Sequence, residues 1–331
     1  MTNRRQFVTA LGGAAALGAL QHPLAALAEI VAQQVKIYYG FPAGSAGDSV
    51  ARRVADKLGG TDFTKLNPVV ENKPGAGGRI ALDSLKSAPA DGSVLALSQA
   101  SALSTYPYIY SKLSYGLADF APVSIGAVMT HGLAVGPMVP ASVKTLKDYV
   151  AWAKANPGQA SYGSPGAGST PHFLGALLGL NSGADLRHVP YRGSLPAVND
   201  VVGGQIASSL TPSGDYLPFV KANKLRVLAT SGAQRAAYLP EVPTFAEQGF
   251  PELVADEWFG FFAPAKTPAP VIAAASGAIQ AALKDKAVAD GLLSVGLIAQ
   301  GSTPEEMRRS LQSEYERWGP LVKKIGFTAE S

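Results

Sequence analysis

Apolar and β-branched positions along the chain fall in short runs separated by polar, glycine- and proline-rich turns. Val35–Phe41, Val69–Glu71, Ser93–Ser98, Val123–Val128, Leu133–Val135, Ala160–Tyr162, Leu186–Val189, Ile206–Leu210 and Leu225–Thr230 read as strands. Between them the spacing shifts to the helical period. In Ser49–Leu58, Val50, Val54 and Leu58 share one face, Arg53 and Lys57 lie on another, and Asp48 is placed to cap the start. Thr145 and Asp148 form a capping box for Leu146–Ala155, which Asn156-Pro157-Gly158 closes. Thr303-Pro304-Glu305-Glu306 opens an amphipathic C-terminal helix in the same way. Alternating strands and helices predict right-handed βαβ units and mainly parallel sheets, an α/β chain. No long polar linker cuts the chain in two. Two discontinuous lobes joined by crossing strands fit that pattern, with Pro122–Val135 and Asp256–Pro264 as the crossings.

Composition narrows the chemistry. The 331 residues include 28 Lys+Arg, 24 Asp+Glu, 36 Gly, 24 Pro and no Cys. The absence of cysteine excludes a disulfide scaffold, a thiol nucleophile and thiolate-bound zinc or iron–sulfur centres. A formal charge of +4 without a Lys/Arg tract argues against nucleic acid as a partner. The first 28 residues read as an export signal. Arg4 and Arg5 form the charged start, Phe7 to Leu20 is an apolar run, and Ala26-Leu27-Ala28 offers a cleavage site before Glu29. Asn3-Arg4-Arg5-Gln6-Phe7-Val8 resembles a twin-arginine signal, and a Sec-type signal fits the same residues. Gln21, His22 and Pro23 end the run short of the roughly 20 residues a membrane span needs. The expected location is outside the cytoplasm.

Two glycine-rich segments each join a strand to a helix. Phe41-Pro42-Ala43-Gly44-Ser45-Ala46-Gly47-Asp48 follows the first strand. Tyr162-Gly163-Ser164-Pro165-Gly166-Ala167-Gly168-Ser169-Thr170-Pro171-His172 follows the strand near Ala160, with Ser169 or Thr170 as cap and Pro171 in the first turn. Such loops lie at the carboxyl ends of strands, where open α/β sheets bind ligands, and each presents a helix start carrying about +0.5 of a charge. In the second loop Ser169 stands where a phosphate loop has its lysine, and neither loop fits the dinucleotide pattern. What remains is an anion cradle of amides and hydroxyls, or in each case an ordinary tight turn.

Ser169 and His172 would be neighbours on one helical turn, which leaves a secreted α/β hydrolase as an alternative. No orienting acid or nucleophile elbow accompanies them. His131 and His188 stand alone, so neither a metal site nor a cofactor is expected. Tyr106, Tyr108, Tyr110 and Tyr115 read as packing against a strand or as the wall of a site.

Together these segments resemble the solute receptors of tripartite tricarboxylate transporters, the Bug family. The resemblance rests on Phe41-Pro42-Ala43-Gly44 through Asp48, Val70-Glu71-Asn72-Lys73-Pro74-Gly75-Ala76-Gly77-Gly78, Gly168-Ser169-Thr170-Pro171-His172, His188-Val189-Pro190-Tyr191-Arg192-Gly193, Lys224 to Ala229, Leu239 to Thr244 and Gly260 to Pro264, in that order. It implies a type II periplasmic-binding-protein-like fold with a ligand cleft between two lobes: 29–128 plus 261–331 as the first and 129–260 as the second. It further implies no catalysis, an organic mono- or dicarboxylic acid as ligand, and delivery to the membrane subunits of such a transporter or presentation to a sensor kinase. The receptor is expected to be a monomer. Carried over by position, Phe41, Ala43, Ser45, Ala46 and Asp48 would contact the acid from one lobe, and Ser164, Gly166, Ser169, Thr170 and His172 from the other. Ser98, Gln99, Tyr191 and Asp215 would complete the site. Ala43 and Ser45-Ala46 stand where the family often carries a second proline and a glycine pair, which would widen the pocket and leaves the ligand's size open.

Overall fold

The computed structural model describes residues 31–329; the predicted export signal lies outside them. In chain order the elements are β1 (Lys36–Tyr39), α1 (Ala46–Ala55), β2 (Val69–Asn72), α2 (Arg79–Lys86), β3 (Val94–Gln99), α3 (Ser101–Ser104), α4 (Tyr106–Ile109), β4 (Phe120–Val135), α5 (Leu146–Ala155), β5 (Ser161–Ser164), α6 (Thr170–Ser182), β6 (Arg187–Pro190), α7 (Ser194–Val202), β7 (Ser208–Pro212), α8 (Leu217–Lys221), β8 (Arg226–Thr230), β9 (Asp256–Pro264), α9 (Ala269–Lys284), α10 (Lys286–Leu293), β10 (Ile298–Ala299) and α11 (Pro304–Ile325).

The strand order is β2-β1-β3-β9-β4-β7-β5-β6, with β8 and β10 also pairing β4. The two ends mirror each other. β2-β1-β3 is parallel, as is β7-β5-β6. Every antiparallel ladder involves β4 or β9. The result is two α/β lobes bridged by a long antiparallel ribbon. The segments 123–128 and 133–135, read from the sequence as separate strands, are one strand of 16 residues. Its middle is polar yet buried: Thr130 and His131 interrupt the apolar pattern without leaving the sheet. Register shifts at Pro122/Ser124, Ile125/Ala127 and Leu133/Ala134 bend it between the lobes.

Apolar burial holds the ribbon on both sides. One core cluster runs from Leu82 and Leu85 through Trp258 and Phe262 to Tyr162, Leu174 and Leu177, spanning both lobes. A second packs Val50, Val54, Ile272 and Ile279 against Leu95, Leu97 and Phe261, and two smaller clusters lie around Tyr216 and Ala153. The capping boxes of Thr145 with Asp148 and Thr303 with Glu306 are present. The first helix differs from the sequence reading. Its N-cap is Ser45, and Asp48 sits inside the first turn.

Candidate functional site

β1 and β5 occupy equivalent places in the two lobes, and each delivers its glycine-rich loop to a helix start at its carboxyl end. In the first loop, Asp48 is buried and reaches back to accept from the Gly44 amide at 2.8 Å. Arg52 Nε donates to the same oxygen at 2.9 Å, and Asn72 Nδ2 donates to the other at 2.9 Å and to the Phe41 carbonyl at 3.0 Å. Burial alone would raise the Asp48 pKa, but the hydrogen bonds from Arg52, Gly44 and Asn72 outweigh it and hold the carboxyl below its ordinary value. Asp48 therefore braces the loop. Ser45 Oγ donates to the Pro42 carbonyl at 2.7 Å, while Ala43 is exposed and Ala46 begins the helix. A Cβ on Gly47 would lie 2.3 Å from the Tyr39 hydroxyl, so only glycine lets that phenol approach the helix start. Burial pushes the Tyr39 pKa up to about 12, so it stays a neutral phenol.

The Asn72–Gly78 loop closes over the first. Gly75, Ala76, Gly77 and Gly78 all have positive φ, and Ala76 is the strained member at 49°. A Cβ on Gly78 would meet Phe41 at 3.1 Å and Gln99 at 3.8 Å, so both side chains lie against this glycine. Gln99 Nε2 and the Tyr106 hydroxyl both donate to the Gly77 carbonyl, at 3.4 and 3.0 Å. Ser98 is buried and its hydroxyl donates to the Gln99 carbonyl. The other tyrosines of that segment pack: Tyr108 on Tyr315, Tyr110 on Tyr106 and under Arg79, and Tyr115 on Phe120.

The second loop is held by neutral groups. Ser169 is the N-cap, accepting from the His172 amide, and its hydroxyl donates to the Gly166 carbonyl at 2.7 Å. His172 Nδ1 accepts from the Gly168 amide at 3.1 Å. Its ring stacks on His188 with centroids 3.9 Å apart, and His188 Nε2 lies 2.7 Å from Ser164 Oγ. Burial lowers the His172 pKa to about 3, with His188 adding to the effect, and burial takes His188 to about 4. Both rings are neutral at neutral pH. Neither His172 ring nitrogen pairs with the Ser169 hydroxyl, so no base–nucleophile contact forms here. Tyr191 turns its hydroxyl away, donating to Asp200 at 2.6 Å. Asp215 lies in the turn after β7, and burial raises its pKa to about 6.

A group not read from the sequence joins the lobes. Glu257 opens the apolar part of β9 and is almost fully buried. Its carboxylate accepts from Ser101 Oγ at 2.5 Å, just past Gln99, and lies 3.1 Å from His131 Nε2 on β4. Burial opposes its ionisation, but His131, Ser101 and the Thr170 hydroxyl at the start of α6 hold its pKa below the ordinary value. Thus Ser101, Glu257 and Thr170 form a polar chain from one lobe to the other. Its signal in the sequence was an acidic pair, Asp256-Glu257, at the head of the run Trp258-Phe259-Gly260-Phe261-Phe262. Among the described residues no cluster of His, Asp and Glu could hold a metal ion.

Two α/β lobes, a doubled crossing ribbon and a helix start from each lobe turned toward it define a two-lobed binding protein. The profile of the TctC tripartite tricarboxylate transporter family receptor matches residues 50–327, and the chain belongs to that family. It is 33% identical to BugT of Bordetella pertussis over 97% of this chain and 95% of that one. Its fold superposes on R. palustris Rpa4515, solved with adipate, with a TM-score of 0.80 at 28% identity, covering 89% of this chain and 98% of that one. For MatC of Rhodopseudomonas palustris, solved with malate, the TM-score is 0.76 at 26% identity, covering 87% and 98%. No helix among the described residues is long and apolar enough to cross a membrane.

Proposed function

We propose that the chain captures an organic mono- or dicarboxylic acid between its lobes in the periplasm and delivers it to the membrane subunits of a tripartite tricarboxylate-type transporter. The observation that carries this reading is the pair of glycine-rich loops opening α1 and α6 in equivalent places of the two lobes. In each first turn the N–H groups lack intrahelical acceptors and favour an anion. One such start contributes only about 0.3–1 kcal/mol at a surface, so the amides of the two starts must act together. The adipate and malate held by the similar structures support a carboxylate. Lobe 1 would comprise 29–128 plus 261–331 and lobe 2 residues 129–260, closing because the ligand binds the closed form more tightly. The Ser169 hydroxyl pairs with no His172 ring nitrogen, which disfavours hydrolysis.

A thermal-shift screen of the exported protein against mono-, di- and tricarboxylates tests the reading. A ligand at 100 times its Kd stabilises the native state by about 2.7 kcal/mol. A shift with one class of acid, lost in Thr170→Val, is expected. No shift after unfolding and refolding to strip bound solute would sink it.

A further inference from the structure

Phe327 stands just beyond α11, and its ring reaches the second glycine-rich loop. It meets the His172 ring nearly at right angles, with centroids 4.9 Å apart at 81°, and the Phe173 ring at 5.7 Å. Gly326, at φ 72°, ends the helix in a left-handed turn immediately before it. Two residues on, the Ala329 amide donates to the Ile109 carbonyl at 2.8 Å, and Ala329 pairs with Tyr110 in a parallel bridge. Ile109 ends α4 in the first lobe, whereas His172 and Phe173 lie in the first turn of α6 in the second. The segment 327–329 therefore ties one lobe to the glycine-rich loop of the other.

The same two side chains press on the loop backbone. A Cβ on Gly168 would lie 2.8 Å from Ile109 Cδ1 and 3.4 Å from the Phe327 ring. The Gly168 amide donates in turn to His172 Nδ1 at 3.1 Å. His172 is thus set by three neighbours: the His188 ring stacked on it, the Gly168 amide and the Phe327 ring. α11 itself is anchored in both lobes. Tyr315 packs on Tyr108 at 4.7 Å, Trp318 lies 5.8 Å from Phe173, and Lys324 Nζ donates to Asn181 Oδ1 at 3.1 Å. A binding loop keeps its working geometry only where neighbouring groups lock it.

Resting on the carboxylate reading above, we infer that Phe327 is a positioning residue of the α6 loop: the segment 327–329, hydrogen-bonded to Ile109 of the first lobe, is a strap that holds Gly168 and His172 of the second in the arrangement that receives the acid. Order that the strap imposes in advance need not be imposed by the ligand, so the strap raises affinity. Lobes that move apart must break the Ala329–Ile109 hydrogen bond or draw Phe327 off His172. The loop is therefore firmest while the lobes stand together.

Hydrogen exchange on the intact, ligand-free protein reads the strap directly, and calorimetric titration with adipate and malate reads its effect on binding. Phe327→Ala should speed exchange at the Gly168, His172 and Phe173 amides about tenfold and leave α5 unchanged. It should also weaken whichever acid binds the wild type by about tenfold, and Phe327→Leu should recover both readouts to within about threefold. Ala329→Pro removes the amide that reaches Ile109 while leaving Phe327 in place, and should reproduce both losses. It also decides the matter should Phe327→Ala not fold. Unchanged exchange and affinity in a folded Phe327→Ala would overturn the strap and leave the carboxylate receptor standing. Wild-type behaviour in Ala329→Pro would reduce Phe327 to local packing and overturn the strap as well. Where neither acid binds the wild type, exchange in the variants alone decides the strap, and the carboxylate reading stands or falls by the thermal-shift screen.

Discussion

The two glycine-rich loops occupy the same place in their lobes but are stiffened by opposite chemistry. The α1 loop is tied by a buried, ionised carboxylate. Asp48 gathers the Gly44 amide, Arg52 and Asn72 around one side chain, while the formal N-cap, Ser45, makes no capping bond. The α6 loop has no charge at all. Ser169 caps the helix, and two stacked neutral imidazoles link Gly168, Ser164 and the strand edge. A loop at a helix start can thus be stiffened either by a charged pair within the first turns or by neutral dipoles, and the choice decides how each loop responds to mutation and to pH.

The largest expected effect comes from removing the charged brace. Asp48→Ala strips three charge-assisted hydrogen bonds from a buried site and should cost about 3 kcal/mol in denaturant unfolding. A loss below about 1 kcal/mol would show that the Pro42 and Tyr39 contacts shape the loop instead.

Acid separates the loops next. His172 has a folded pKa of about 3 against 6.5 unfolded, so the unfolded chain binds the proton first. Its contribution is intact above about pH 6.5 and declines as pH falls, by about 1 kcal/mol per pH unit. The Asp48 carboxyl, held below its ordinary value of 3.8, loses its contribution only as pH falls below that value. Hydrogen exchange between pH 7 and 4.5 should therefore loosen the start of α6 while α1 stays protected. Equal loosening of both would break the contrast.

The finest discrimination lies in the caps. Ser169→Ala should destabilise by about 1 kcal/mol, and Ser45→Ala by only a few tenths, because its hydroxyl caps nothing. Paired thermal melts measure the difference.

Both loops were legible in the sequence because a turn needs particular residues, and glycine, proline and hydroxyls announce them locally. The start of α1 was misplaced for a physical reason. Asp48 has the side chain of a cap, but Ala46 and Gly47 are small enough for the helix to begin before it, and the carboxylate then reaches backward. The Glu257–His131–Ser101 cluster could not be read in advance. Its members stand 126 and 156 residues apart, and nothing local to any one of them points to the others. Likewise Tyr191 matched a ligand position by sequence, while its hydroxyl is committed to Asp200. Local signals mark where a glycine-rich loop lies; what pairs across the lobes is decided by the crossing ribbon.

That ribbon also imposes an order on the growing chain. The β3 ladder is completed only when β9 arrives, with Gln99 facing Phe259 and Ala96 facing Phe262. The ladders among β4, β5, β6, β7 and β8 close within one uninterrupted stretch. During synthesis the later lobe can therefore mature while the earlier one waits, its edge open, for residues more than a hundred positions downstream. A ribosome-held chain stopped near residue 250 should resist proteolysis across β5 to β8 and remain sensitive before β4.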